Sequence, residues 1–149
     1  MIDPSTAFKI GGYLAMLGWL GLLVSLFVAS PRAITQAAAR LAIPALLAVA
    51  YGLLIWTGFG EVEGGGFGSI TEVRALFASD SALAAGWLHY LAFDLFVGSW
   101  IVADGLDRRI PALLILPCLP LTFLFGPLGL LLYLVLRLAF QRRQSAEKL

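Results

Sequence analysis

The chain has one cysteine, Cys118, and one histidine, His89, among its 149 residues. A single cysteine excludes an internal disulfide and any zinc or iron–sulfur centre built on several thiolates. A single histidine likewise excludes a multi-histidine metal centre, so neither a metal nor a cofactor is expected. Charge is equally scarce: ten Lys and Arg against nine Asp and Glu, 13% of the chain, with a net charge of +1. Soluble domains carry about a quarter charged residues. A nucleic-acid surface needs a basic stripe, and none is present. What is abundant is apolar: 60% hydrophobic residues and a mean hydropathy of +0.93. A chain of one-domain length cannot hide that much apolar surface from water. Residues 1–149 therefore read as a single all-α transmembrane domain, with membrane lipid as its solvent.

Hydropathy picks out four runs, about 8–29, 41–59, 83–103 and 111–139, each long enough for a spanning helix of about 20 residues. Asp3 and Pro4 open the first as a cap and a first helical residue. Only Lys9 is basic near its start, and Pro31 follows the small pair Ala29–Ser30, so this run is expected to stay as a helix and not be cleaved as a signal peptide. A short loop carrying Arg32 and Arg40 is expected over 30–40. The 60–82 loop holds Glu61, Glu63 and a glycine cluster that lacks the phosphate-loop pattern. Ser69-Ile70-Thr71-Glu72 then reads as a capping box. It opens an amphipathic helix over about 69–79 with Ile70, Val73, Leu76 and Phe77 on one face. That helix either lies in the membrane interface or packs on the end of the bundle.

The fourth run would be about 43 Å long if straight, too long for one crossing of about 30 Å and too short for two. Pro117, Pro120 and Pro127 lie within it. Each proline strips a hydrogen bond from the carbonyl four residues earlier, leaving Leu113, Leu116 and Phe123 needing partners in protein or ligand. The expectation is a fourth transmembrane helix kinked or broken around Pro120–Pro127, with a half-helix as one form of it. Four crossings would put both termini on one side, where six basic residues (Lys9, Arg74, Arg137, Arg142, Arg143, Lys148) outnumber Arg32, Arg40, Arg108 and Arg109 and favour the cytoplasm.

Asp94 is the one ionisable residue in the middle of an apolar run. Placing a carboxylate there costs about 2.5–3.5 kcal/mol, so it is carried neutral or paired inside the bundle. Tyr90, one turn earlier, can donate to it. The functional reading is a buried acid/base or ligand anchor, and the alternative is a helix-packing hydrogen bond. His89 lies about 140° around the helix from Asp94 and about 7.5 Å along it, so the two do not meet on their own helix. His89 heads a stripe with Phe93, Phe96, Trp100 and Asp104; Trp87, Tyr90, Asp94, Val97 and Ile101 form another. Either stripe serves packing or a membrane belt, or both line a cavity closed by neighbouring helices. Thr122 or Tyr133 could bond Asp94 or a freed carbonyl. Asp104, Asp107, Arg108 and Arg109 form a charged turn that reads as an interfacial anchor and helix stop, with or without an Asp104–Arg109 pair.

The strings Trp87-Leu88-His89-Tyr90-Leu91-Ala92-Phe93-Asp94-Leu95-Phe96-Val97-Gly98, Asp104 through Arg109-Ile110-Pro111, and Pro120-Leu121-Thr122-Phe123-Leu124-Phe125-Gly126-Pro127-Leu128-Gly129 resemble the neoxanthin synthase-like family, whose plant member is named for abscisic acid deficiency. The resemblance covers about 60–137. It implies a small multi-span helical membrane protein that isomerises a carotenoid, violaxanthin to neoxanthin in the plant member. Ser99 departs from the basic residue that the resemblance implies there, and no plastid transit peptide precedes the first run, so a bacterial inner membrane is expected, or a plastid membrane for a trimmed plant-type chain. Opening an epoxide to an allenic alcohol is redox-neutral and needs one proton delivered and one removed. Asp94 and His89 are the expected catalytic groups. Trp87, Tyr90, Phe93, Thr122, Phe123 and Phe125 are expected to line a carotenoid or other isoprenoid, with Pro120, Gly126, Pro127, Asp104 and Arg109 structural. The competing reading is a non-catalytic pigment-binding or accessory subunit, acting as a homo-oligomer or beside a partner membrane enzyme. A proton or solute pathway is disfavoured, since one mid-membrane ionisable residue offers no relay.

Overall fold

The computed structural model describes residues 3–58 and 62–146, with side chains through 141. Glu61, the side chains of Arg142 and Arg143, and Lys148 lie outside the described residues. Everything regular among the described residues is helical. Helix α1 (Pro4–Phe27) starts as its sequence requires: the Asp3 carboxylate accepts from the Thr6 amide at 2.8 Å and the Thr6 hydroxyl at 2.7 Å, with Pro4 in the first turn. The second run is longer than expected. Residues 30–40 do not form a loop: α2 (Arg32–Ala37), a π-helical turn (Ala38–Ala42) and α3 (Ile43–Gly58) run on as one apolar helix. The physical reason is Pro44, which has no N–H for the Arg40 carbonyl; the wider turn just before it absorbs the defect without ending the helix. Arg32 folds back to donate to the Ser25 carbonyl at 3.0 Å.

Helix α4 (Ile70–Leu76) is capped by Ser69, whose hydroxyl accepts from the Glu72 amide at 3.2 Å, while the Glu72 carboxylate accepts from the Gly68 amide at 2.9 Å. It is shorter than expected and packs on the end of the bundle through Leu76, with Phe77 lying over Gly86, yet it leaves Ile70 exposed. Helix α5 (Asp80–Asp107) is the central strut and extends beyond 83–103 at both ends. On α1, Gly11 faces Leu88 and Gly18 faces Leu95, so α1 and α5 run parallel and close, as small residues at an intramembrane interface permit. On α3, Gly58 meets Ser81 and Tyr51 meets His89, so α3 runs antiparallel to both.

The fourth run breaks within Pro120–Pro127, as expected, but its course after the break is not the expected one. It divides into α6 (Ala112–Ile115), α7 (Cys118–Phe125) and α8 (Pro127–Ala146). Pro120 does not break it, because it falls in the first turn of α7, where a missing N–H costs nothing. The break is at Gly126, whose φ of +35° is strained for any side chain. There the chain doubles back, and Gly129 packs so closely on the Thr122 backbone that no Cβ would fit. Ile115 on the inward arm and Tyr133 on the outward arm both sit against Gly105, while the tip at Gly126 sits against Asp94. Both arms thus stand at the Asp104 end of α5, and the tip reaches about 15 Å down it. Among the described residues three helices, Pro4–Phe27, Arg32–Gly58 and Asp80–Asp107, are long and apolar enough to cross a membrane. The expected fourth crossing is replaced by this hairpin. The start of α1 and the body of α8 consequently lie at opposite ends, which removes the expectation of both termini on one side.

Candidate functional site

The hairpin tip builds the most polar point in the middle of the bundle. A Cβ at Gly126 would lie 2.9 Å from one Asp94 carboxyl oxygen and 3.2 Å from the other, so glycine is needed there for space as well as for φ. Asp94 is half-buried, and its Oδ2 is shut away from the surface without a hydrogen-bond partner. Beside it, the Tyr90 hydroxyl donates to the Phe123 carbonyl at 2.5 Å. That carbonyl is free because Pro127, four residues on, has no N–H. The break in one helix is therefore stitched to another by the tyrosine one turn from Asp94.

Aromatic rings continue the site in both directions. Trp19 of α1 meets Phe123 edge-on at 5.6 Å between centroids, lies over Gly98, and keeps a buried indole N–H without a partner. Towards the Asp80 end, Trp87 packs on Tyr90 and Phe8 stacks on Trp87, each at 5.3 Å. Trp87, Tyr90 and Phe123 thus gather on the Asp94 side. Thr122 does not reach Asp94; it is buried, and its hydroxyl donates to the Cys118 carbonyl at 2.8 Å within α7. Phe125 is exposed on the hairpin.

His89 is elsewhere. Its ring stacks on Phe93 at 4.6 Å and tilts against Tyr51 at 5.8 Å, on the side of α5 that faces α3. It lines a cavity of about 290 Å³ with Tyr51, Phe67, Phe77 and Gly86, roofed by α4. No neighbouring helix brings this stripe together with Asp94, so the two expected catalytic groups do not share a site.

Asp104 is not paired with Arg109. Its Oδ2 accepts from Arg108 Nε at 2.8 Å, from Arg137 Nε at 3.0 Å and from the Tyr133 hydroxyl. These bonds clamp α8 to α5. Arg109 instead takes a left-handed φ of 57° and ends α5, with its amide bonded to Leu106 and that of Ile110 to Gly105, the Schellman pattern usually given to glycine. No group of three metal-ligating side chains occurs among the described residues. Trp19 and Arg137 were not among the expected site residues, and Tyr133, weighed as a partner for Asp94 or a freed carbonyl, bonds Asp104 instead. The spacing of small residues Gly11, Ala15 and Gly18 carries a signal for the α1–α5 contact that delivers Trp19.

These features define a helical integral membrane protein with a carboxyl group held inside the bundle at the tip of a folded-back helical pair. Within that class the chain belongs to the ABA DEFICIENT 4-like family, which matches residues 6–133. Comparison with curated proteins and with solved structures returned no match.

Proposed function

We propose that this protein carries out a redox-neutral, acid/base isomerisation of an epoxy-carotenoid or related isoprenoid lipid, with Asp94 as the proton-handling group. The observation that carries the reading is the Asp94 carboxyl at mid-helix, one oxygen buried and unpaired, beside a tyrosine whose only proton is committed to the Phe123 carbonyl. Asp94 delivers its proton to the epoxide oxygen as the carbon–oxygen bond opens. The carboxylate so formed removes a proton from the neighbouring polyene carbon, generating the new double bond and restoring the acid. No electron is gained or lost, and the product is an isomer. Trp87, Tyr90, Phe123 and Trp19 supply apolar and aromatic surface for a polyene. His89 takes no part.

A second reading, a pigment-binding or accessory subunit that works as a homo-oligomer or beside a partner membrane enzyme, draws support from exposed rings such as Phe8, Trp87, Phe93 and Trp56. Pigment chromatography from cells supplied with violaxanthin separates the two. Isomerised pigment from the wild type and not from Asp94→Asn supports the isomerase. Unaltered pigment that copurifies with both forms supports the binding role and removes Asp94 from any chemistry.

A further inference from the structure

On the opposite side of α5 from the hairpin, the groove between α3 and α5 is open. It holds a cavity of about 340 Å³ lined by Pro44, Ala45, Ala48, Ala92, Phe93 and Phe96, with Arg40 at its rim. A second cavity, beneath α4, lies further along α5 with the His89–Phe93 ring stack between the two, and their linings together run along α5 from Ala82 to Phe96, about 21 Å at helical rise. The lining is apolar except at one point. The Arg40 guanidinium lies 5.8 Å from the centre of the Phe96 ring, and no carboxylate is within ion-pairing distance of it among the described residues.

We propose that this groove is a binding site for an anionic glycerophospholipid, with an acyl chain along Phe96, Phe93 and His89 and the phosphate on Arg40. Charge complementarity carries the argument. An arginine with no acid, fixed on a ring at the head of an apolar channel, presents the planar donor fork that phosphate oxygens accept. The leaflet also fits. Among residues with described side chains, Lys9 and Arg74 stand at the Asp80 end, whereas Arg32, Arg40, Arg108, Arg109 and Arg137 stand at or towards the Asp104 end. The positive-inside rule makes that end cytoplasmic, and anionic lipid in the cytoplasmic leaflet attracts such clusters.

The test is native mass spectrometry of the full chain released from mixed vesicles of phosphatidylglycerol and phosphatidylcholine. The wild type is expected to retain phosphatidylglycerol at least about tenfold over phosphatidylcholine, Arg40→Gln to lose that preference, and Arg40→Lys to recover part of it. Ala48→Phe, which keeps the charge but fills the channel, is expected to reduce retention of both lipids. Equal retention of the two lipids by the wild type overturns the proposal, as does an undiminished preference in Arg40→Gln. Should Arg40→Gln fail to fold, unchanged retention in Ala48→Phe overturns it alone. Pigment conversion is expected to persist in Ala48→Phe, so this result stands apart from the isomerase test.

Discussion

The two sides of α5 carry similar residues and have opposite fates. On one, Trp87, Tyr90 and Asp94 meet α1 and the hairpin tip, and a carboxyl oxygen is sealed in. On the other, His89, Phe93 and Phe96 face α3, the π-turn before it and the α4 region, with no hairpin over them, and Phe93 and Phe96 remain exposed, at 60% and 43%. Both are stripes of aromatic residues with a titratable side chain, at helical spacing. What differs is the neighbour, because a helix that doubles back halfway down the bundle can enclose one side of its partner and leave the other to lipid.

Replacing Asp94 on one side and His89 on the other breaks this comparison most sharply. Asp94→Asn is expected to lower pigment conversion about 10²–10⁴-fold, the range for losing a general acid or base, while His89→Phe changes it less than about twofold; chromatography of pigment products reads both. An equal loss in the two variants would mean that the sides act together. The tip itself is tested by Gly126→Ala, which forces a Cβ against Asp94 at a positive φ. A destabilisation of about 1–3 kcal/mol is expected, seen as a lower melting temperature in detergent, whereas Gly52→Ala, in open space on α3, is not expected to lower it.

Tyr90→Phe separates the stitch from the acid. It strands the Phe123 carbonyl, at a cost of about 1–3 kcal/mol for an unpaired buried acceptor, and thermal unfolding would show a drop where Tyr51→Phe, on the open side, shows little. The smallest effect is at the start of α1. The Thr6 hydroxyl and amide hold the Asp3 carboxyl below the usual aspartate value of 3.8. A depressed value in the folded state means that the cap's contribution is present above about pH 4 and fades as pH falls through the lower folded value. Melting curves from pH 6 to pH 2 should therefore decline more for the wild type than for Asp3→Asn.

Much of the local structure was legible. Asp3-Pro4 and Ser69-Ile70-Thr71-Glu72 specify helix starts, because a side-chain acceptor near an end amide needs only neighbours in sequence. Helical angle alone keeps His89 and Asp94 from meeting on their own helix, but whether neighbouring helices close both stripes into one cavity was decided by the fold. That Pro127 would free the Phe123 carbonyl was also plain, since the loss is a covalent fact. Its rescuer was not, because Tyr90 is 33 residues away. The 30–40 stretch misled in the other direction: hydropathy ends the run at Arg40, whereas the helix continues through Arg40 by a π-turn that accommodates Pro44.

Composition and periodicity alone determined that this chain lives in lipid as helices, with one costly carboxyl at mid-span and one run of awkward length. Only the tertiary structure decided that this run returns and does not cross. The reversal needs Gly126 at positive φ, Thr122 against Gly129, and α8 held at the Asp104 end by Tyr133 and Arg137. Each of these contacts joins residues far apart in the chain or a backbone state that several neighbours enforce together. Hydropathy sums residues one by one and carries no such term.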